Sequence, residues 1–215
     1  MLPGLNEIDR VTRLMMNEHF FNHETPVTEP GLKLLAHLPT DSFPSLVAAD
    51  FWPRLADADL MRIAVHLAEK SYSEQGCPIG AVIIDNASRR IVGKGHNTLV
   101  QENHPYNHGE TSAMRDAGSI DFGLTTLFTT LTPCNVCACL MTERGFPRVV
   151  IGNSLPERPN NEERLRSQGM IVDSLFDIRG IELYATYQRK MRELDIIDWQ
   201  GVAALRRWRD QSIGQ

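Results

Sequence analysis

The sequence predicts an α/β fold in which a sheet with parallel neighbours is covered by helices. Three observations carry this: strand-like and helical runs alternate between residues 108 and 172, two β-rich runs flank the turn-like Asn86-Ala87-Ser88, and an amphipathic helix precedes them. The 215 residues are 42% hydrophobic and 23% charged, the balance of a globular protein with one well-filled core.

Residues 1–56 differ from the rest. Pro3, Pro26, Pro30, Pro39, Pro44 and Pro53, six of the 12 prolines, break their irregularly spaced apolar residues, so long helices are not expected there. The segment is read as an N-terminal extension to a domain spanning 57–215. From Asp57, the residues Leu60, Ile63, Ala64, Leu67 and Ala68 recur at helical spacing, with Asp57 or Asp59 as cap and Gly76 as stop. The apolar run 78–85 and the run 90–96 then read as a hairpin. A helix over 108–117, a strand over 124–130, a helix over 134–144, a strand over 148–151, a helix over 161–167 and a strand over 170–172 follow. The tail 181–209 reads as mostly helical, with a break expected at Asp198-Trp199.

Composition removes several function classes. A net charge of −5, from 22 basic and 27 acidic residues without a Lys/Arg run, offers no field for a phosphate backbone, so nucleic acid is not expected as a partner. The start lacks a secretory pattern and no apolar stretch reaches a membrane span, so a cytoplasmic protein without a membrane partner is expected. The four cysteines are Cys77, Cys134, Cys137 and Cys139; the clustering of three suits a metal site in a reducing compartment better than disulfides.

Two segments carry chemistry, His108-Gly109-Glu110 and Pro133-Cys134-Asn135-Val136-Cys137. Thr132 is a natural N-cap and Pro133 a natural first helical residue, which puts Cys134 and Cys137 in the first turns of a helix at i and i+3, on one face. The positive helix N-terminus favours their thiolates. His108, also at a helix start, is a third ligand. Two cysteines and one histidine leave a fourth position for water, the arrangement of a catalytic zinc. Glu110 is not needed as a ligand and is placed to move protons beside that water. Taken alone, Cys-x-x-Cys fits a structural zinc or a redox pair, and an inactive site is the other alternative. Cys139 points away from the ligand face and, like Cys77, reads as packing. His19, His23 and His104 read as surface or packing residues.

These motifs match the H-x-E…P-C-x-x-C signature of zinc-dependent nucleobase deaminases. Residues 57–200 resemble the cytidine deaminase-like superfamily, and within it the fungal-type cytosine deaminases and bacterial nucleobase deaminases. The resemblance runs through Pro78-Ile79-Gly80-Ala81, Gly95-His96-Asn97, His108-Gly109-Glu110, the segment from Thr129 to Cys137, Arg148-Val149-Val150-Ile151-Gly152 and Asp198-Trp199. It implies a three-layer α/β/α sandwich around a five-stranded mixed sheet and a homodimer. It makes His108, Cys134 and Cys137 ligands of Zn2+, Glu110 the proton shuttle, Asn97 a hydrogen-bonding partner of the base and Trp199 a stacking wall.

Two positions depart from the fungal pattern. Glu157 stands where those enzymes carry a pocket aromatic, and Val202 where they place the aspartate that grips the exocyclic amine; Glu157 is a candidate to supply that carboxylate from another direction. The expected function is hydrolytic removal of an exocyclic amine from a small heterocycle, cytosine or a related ring, with release of ammonia. The alternatives are a guanine, triazine or creatinine-like deaminase, a tRNA adenosine deaminase, and a zinc-stabilised binding protein without catalysis.

Overall fold

In the computed structural model, which describes residues 55–154 and 161–213, five strands form one mixed sheet in the order β2-β1-β3-β4-β5. β1 (Gly80–Asp85) pairs antiparallel with β2 (Ile91–His96) and with β3 (Thr125–Thr129). β4 (Arg148–Ile151) and β5 (Ile171–Ser174) extend the sheet in parallel. The helices among the described residues are α1 (Asp57–Ser73), α2 (Gly109–Ala117), α3 (Asn135–Glu143), α4 (Asn161–Ser167), α5 (Ile178–Lys190), α6 (Arg192–Gln200) and α7 (Val202–Ile213). The expected extension over 1–56 lies outside the described residues apart from Leu55 and Ala56.

Strand alternation builds the three layers. Val82, Ile84, Phe128 and Val150 point to one face and pack on Leu60, Met61, Ile63, Ala64 and Val65 of α1. Their neighbours Ala81, Ile83, Leu127, Val149 and Ile151 point to the other, onto Ala113 of α2, Ala138 and Met141 of α3 and Leu165 of α4. Fully buried side chains of this size each contribute about 1.5–3 kcal/mol of transfer free energy, so the sheet is held from both faces. α2 approaches β2 closely because β2 offers glycine there: a Cβ on Gly93 would lie 2.5 Å from Ala113 O, and one on Gly95 2.5 Å from Ala113 N. That close approach sets the first turn of α2 beside the ends of β1 and β3.

Three expectations are corrected. The chain breaks at Met191 and at Gly201, where φ is 77°, not at Asp198-Trp199, which lie within α6. Gly201 is free to take the left-handed conformation that ends the helix. Cys139 is exposed, because Cys137, Ala138 and Met141 occupy the buried face of α3. The N-cap of α3 is Cys134 rather than Thr132; Cys134 has extended backbone and its sulfur accepts from Cys137 N, while the Thr132 hydroxyl contacts Asn153 O and Glu162. Cys77 is buried as expected.

Candidate active site

Two helix N-termini converge at the end of β3. His108 is the N-cap of α2 and Cys134 the N-cap of α3, both in extended backbone just before the first turn. Each therefore presents its side chain where unpaired backbone N–H groups face outward. Cys134 Sγ lies 3.3 Å and Cys137 Sγ 3.5 Å from His108 Nδ1. The three ligand atoms all lie within 4.8 Å of one another, and among the described residues this is the group of histidine, cysteine and carboxylate side chains able to hold a metal ion. A tetrahedral zinc with bonds of about 2.3 Å to sulfur and about 2.0 Å to nitrogen separates sulfur from nitrogen by about 3.5 Å, so the sulfur–nitrogen spacings suit zinc.

Glu110, on the first turn of α2, is 3% exposed. Its Oε1 accepts from Thr129 Oγ1 at 3.1 Å, and its Oε2 takes the Cys137 thiol at 3.5 Å. Strand β3 thus fixes one carboxylate oxygen while the other faces the ligand cluster.

The groups of the cluster shift one another's proton affinities. Burial, reinforced by the Cys134 charge, pushes the Glu110 carboxyl above its ordinary range. Asp198 is also pushed up by burial. The hydrogen bond from Cys137, and then His108, pull the Cys134 thiol down to about 4 against burial. Cys137, hydrogen-bonded to Cys134 and fully buried, is pushed up instead. Burial opposes protonation of His108, but the Cys134 thiolate and the Asp198 and Glu110 carboxylates outweigh it and raise the imidazole to about 9. The positive charge available from within the cluster is thus a proton on the ring that must donate a lone pair to a metal. A divalent ion supplies that charge and releases the proton.

The structure brings His108, Glu110, Cys134, Cys137 and Asn97 into one neighbourhood. Asn97 is fully buried and its amide is oriented by the protein: Nδ2 donates to Asp198 Oδ1 at 2.7 Å, and Oδ1 accepts from Leu99 N at 3.0 Å. One N–H and one lone pair remain for another partner. Trp199 is partly buried against the cluster of Cys77, Ile79, Leu131, Tyr184 and Tyr187, with Nε1 donating to Tyr184 Oη at 2.6 Å. Val202 is 53% exposed at the start of α7. Glu157 lies outside the described residues. Sequence reasoning missed Asp198 and Thr129. Thr129 was signalled by a hydroxyl closing a buried strand; Asp198 had only its place beside Trp199.

Residues 55–153 match the family model described as the cytidine and deoxycytidylate deaminase zinc-binding region. The chain is 36% identical over 143 residues to the cytosine deaminase of Candida albicans, covering 65% of this chain and 91% of that one. It is 35% identical over 102 residues to the tRNA-specific adenosine deaminase of Haemophilus influenzae, covering 46% of this chain and 58% of that one. Among solved structures it is similar to the guanine deaminase from Nitrosomonas europaea, with a TM-score of 0.56 at 19% identity over 62% of this chain and 85% of that one, a likeness of fold. A structure from work on tRNA:A34 deaminases matches with a TM-score of 0.53 at 25% identity, over 59% of this chain and 99% of that one.

Proposed function

Because the chain belongs to the cytidine deaminase-like superfamily, whose members are zinc-dependent hydrolytic deaminases, we propose that it removes the exocyclic amine from a small free base of the cytosine type and releases ammonia. The cofactor is Zn2+, and we assign His108, Cys134 and Cys137 as its protein ligands. Zinc held there supplies Lewis acidity and a water molecule acidified to near neutral pH.

The observation that carries this reading is Glu110, buried beside the three donors with one oxygen tied to Thr129 and the other facing the cluster. A structural zinc has no use for such a carboxylate. Glu110 accepts a proton from water at Oε2 and passes it to the ring nitrogen next to the amine-bearing carbon; it then accepts a second proton, from the hydroxyl added at that carbon, and gives it to the departing amine. Its raised proton affinity suits both roles, since a carboxylate in the ordinary range returns a proton less readily. The net exchange is an amine and water for a carbonyl and ammonia. Asn97 meets the ring's amide edge with its remaining N–H and lone pair, and Trp199 forms the aromatic wall.

A free base is favoured over RNA by two facts: the net charge of −5, and the longer alignment with the cytosine deaminase, 143 residues against 102 with the tRNA adenosine deaminase. The described residues contain no helix long and apolar enough to cross a membrane. The test is zinc content together with ammonia release from cytosine, guanine, adenine, triazines and tRNA. Release from cytosine or a related free base is expected. Activity confined to tRNA overturns the substrate assignment, and a zinc-loaded protein inert on all of them overturns catalysis. A KM unchanged in Glu157→Gln removes Glu157 from the substrate wall.

A further inference from the structure

The C-terminal helix α6 delivers a carboxylate to the back of the site from some 90 residues downstream of His108. The Asp198 side chain is 3% exposed, and its Oδ1 lies 4.0 Å from His108 Nε2. The same oxygen accepts from Asn97 Nδ2 at 2.7 Å. α6 is itself tied to α5, through Trp199 Nε1 donating to Tyr184 Oη at 2.6 Å and Tyr184 Oη donating to Asp195 Oδ1 at 2.6 Å. The carboxylate is therefore held in place by the fold and does not swing on a free side chain.

His108 has two ring nitrogens with different surroundings. Nδ1 faces both sulfurs. Nε2 is buried and has no hydrogen-bond partner. A neutral ring that gives its Nδ1 lone pair to a metal carries its proton on Nε2, and a buried N–H without an acceptor is disfavoured. Asp198 Oδ1 is the acceptor it faces, and a ring shift of about 1 Å brings the pair within hydrogen-bond range.

We propose that Asp198 is a positioning residue with two outputs: it accepts the Nε2 proton of His108, fixing the tautomer in which Nδ1 binds zinc, and it fixes the Asn97 amide with Nδ2 inward. The inference rests on the reading of His108 as a zinc ligand. One carboxylate then orients a metal ligand and a base-binding amide together, so that the C-terminal helix completes a site whose ligands all lie in the first two-thirds of the chain. Carboxylates behind ligating histidines raise metal affinity by about 10–100-fold.

The test is zinc affinity by chelator competition in wild type and Asp198→Asn, which keeps size and removes charge. A zinc dissociation constant raised by about 10–100-fold, with a higher KM in the zinc-saturated variant, is expected. A merely structural role lowers the melting temperature and leaves zinc affinity unmoved. Equal zinc affinity in folded Asp198→Asn overturns the inference and leaves the proposed function standing; no zinc bound by wild type overturns both. Should the variant not fold, ring 15N NMR of the zinc-loaded wild type decides: a slowly exchanging proton on Nε2 of His108 supports the inference, and its absence refutes it.

Discussion

The two ends of β3 hold two clusters of charged groups with opposite logic. Near its start, where Thr126 pairs with Arg148, acids and bases neutralise one another: Arg148 donates to Asp57 at 2.6 Å and to Asp173 at 2.8 Å, and Arg89 donates to Asp57 at 3.2 Å. Although burial opposes it, these partners hold Asp57 below the ordinary carboxylate range. At its far end, where Thr129 meets Glu110, two carboxylates and two thiols surround one imidazole, and the carboxylates are pushed up. The first cluster is complete as folded. The second gathers soft and acidic donors around a single imidazole, which is what distinguishes a site suited to a metal from one built to hold helices and strands together.

The sharpest way to break this comparison is to remove Glu110. Glu110→Ala should retain zinc and lose about a thousandfold or more in kcat. Near-normal ammonia release with full zinc content would mean that the far cluster is structural after all. Glu110→Gln adds a stability arm in the metal-free protein. A raised carboxylate contributes stability below its unfolded pKa and loses it as pH rises through the folded value, so the amide should flatten that loss, seen in melting temperature against pH.

The second effect in size is metal removal. A chelator should abolish turnover and lower the melting temperature, and zinc should restore both. At free zinc a thousandfold above its dissociation constant the stabilisation is about 4 kcal/mol. Cys137→Ser should remove that zinc response in calorimetry, while Cys139→Ser, an exposed position on the same helix, should leave it intact. Third is Asn97→Ala, expected to lower kcat/KM by about 10–100-fold, mainly through KM, since the amide makes contacts that one lost hydrogen bond to a ring would cost.

The far cluster was half legible in the sequence, and the near one not at all. His108, Glu110, Cys134 and Cys137 could be read because each pair lies within one helical turn: the i, i+3 spacing puts the two cysteines on one face, and the H-x-E pair matches the deaminase signature. Asp198 could not, since its proximity to His108 arises from the docking of α6 on α5, a contact between distant parts of the chain that no periodicity encodes. Alternation of strands and helices gave an α/β sheet with parallel neighbours but not the order β2-β1-β3-β4-β5. The cap of α3 was misread by propensity: Thr132 is the better capping residue in isolation, yet its hydroxyl is engaged by Asn153 and Glu162, which leaves Cys134 to cap. The Asp57–Arg148–Arg89 cluster likewise joins residues from α1, β4 and a turn.

The smallest expected effect tests the near cluster by the same chemical change, carboxylate to amide. Asp57 has a depressed folded pKa, so the stability it contributes is present above the unfolded value near 3.8 and is lost as pH falls through the folded one. Asp57→Asn should therefore destabilise at neutral pH, and the gap between the two proteins should close as pH drops below the ordinary carboxylate range. The Asp57 side chain is 26% exposed and so partly screened by water, which limits the cost to about 1 kcal/mol or less, a shift of about 2–4 °C in melting temperature at most. The amide can still accept a hydrogen bond from one arginine, which reduces the loss further. Turnover should not change, because no residue of this cluster reaches Thr129 or Glu110. A fall in kcat with zinc content intact would couple the two ends of β3, and the contrast between a neutralised ion network and a metal-ligand cluster would then describe one network.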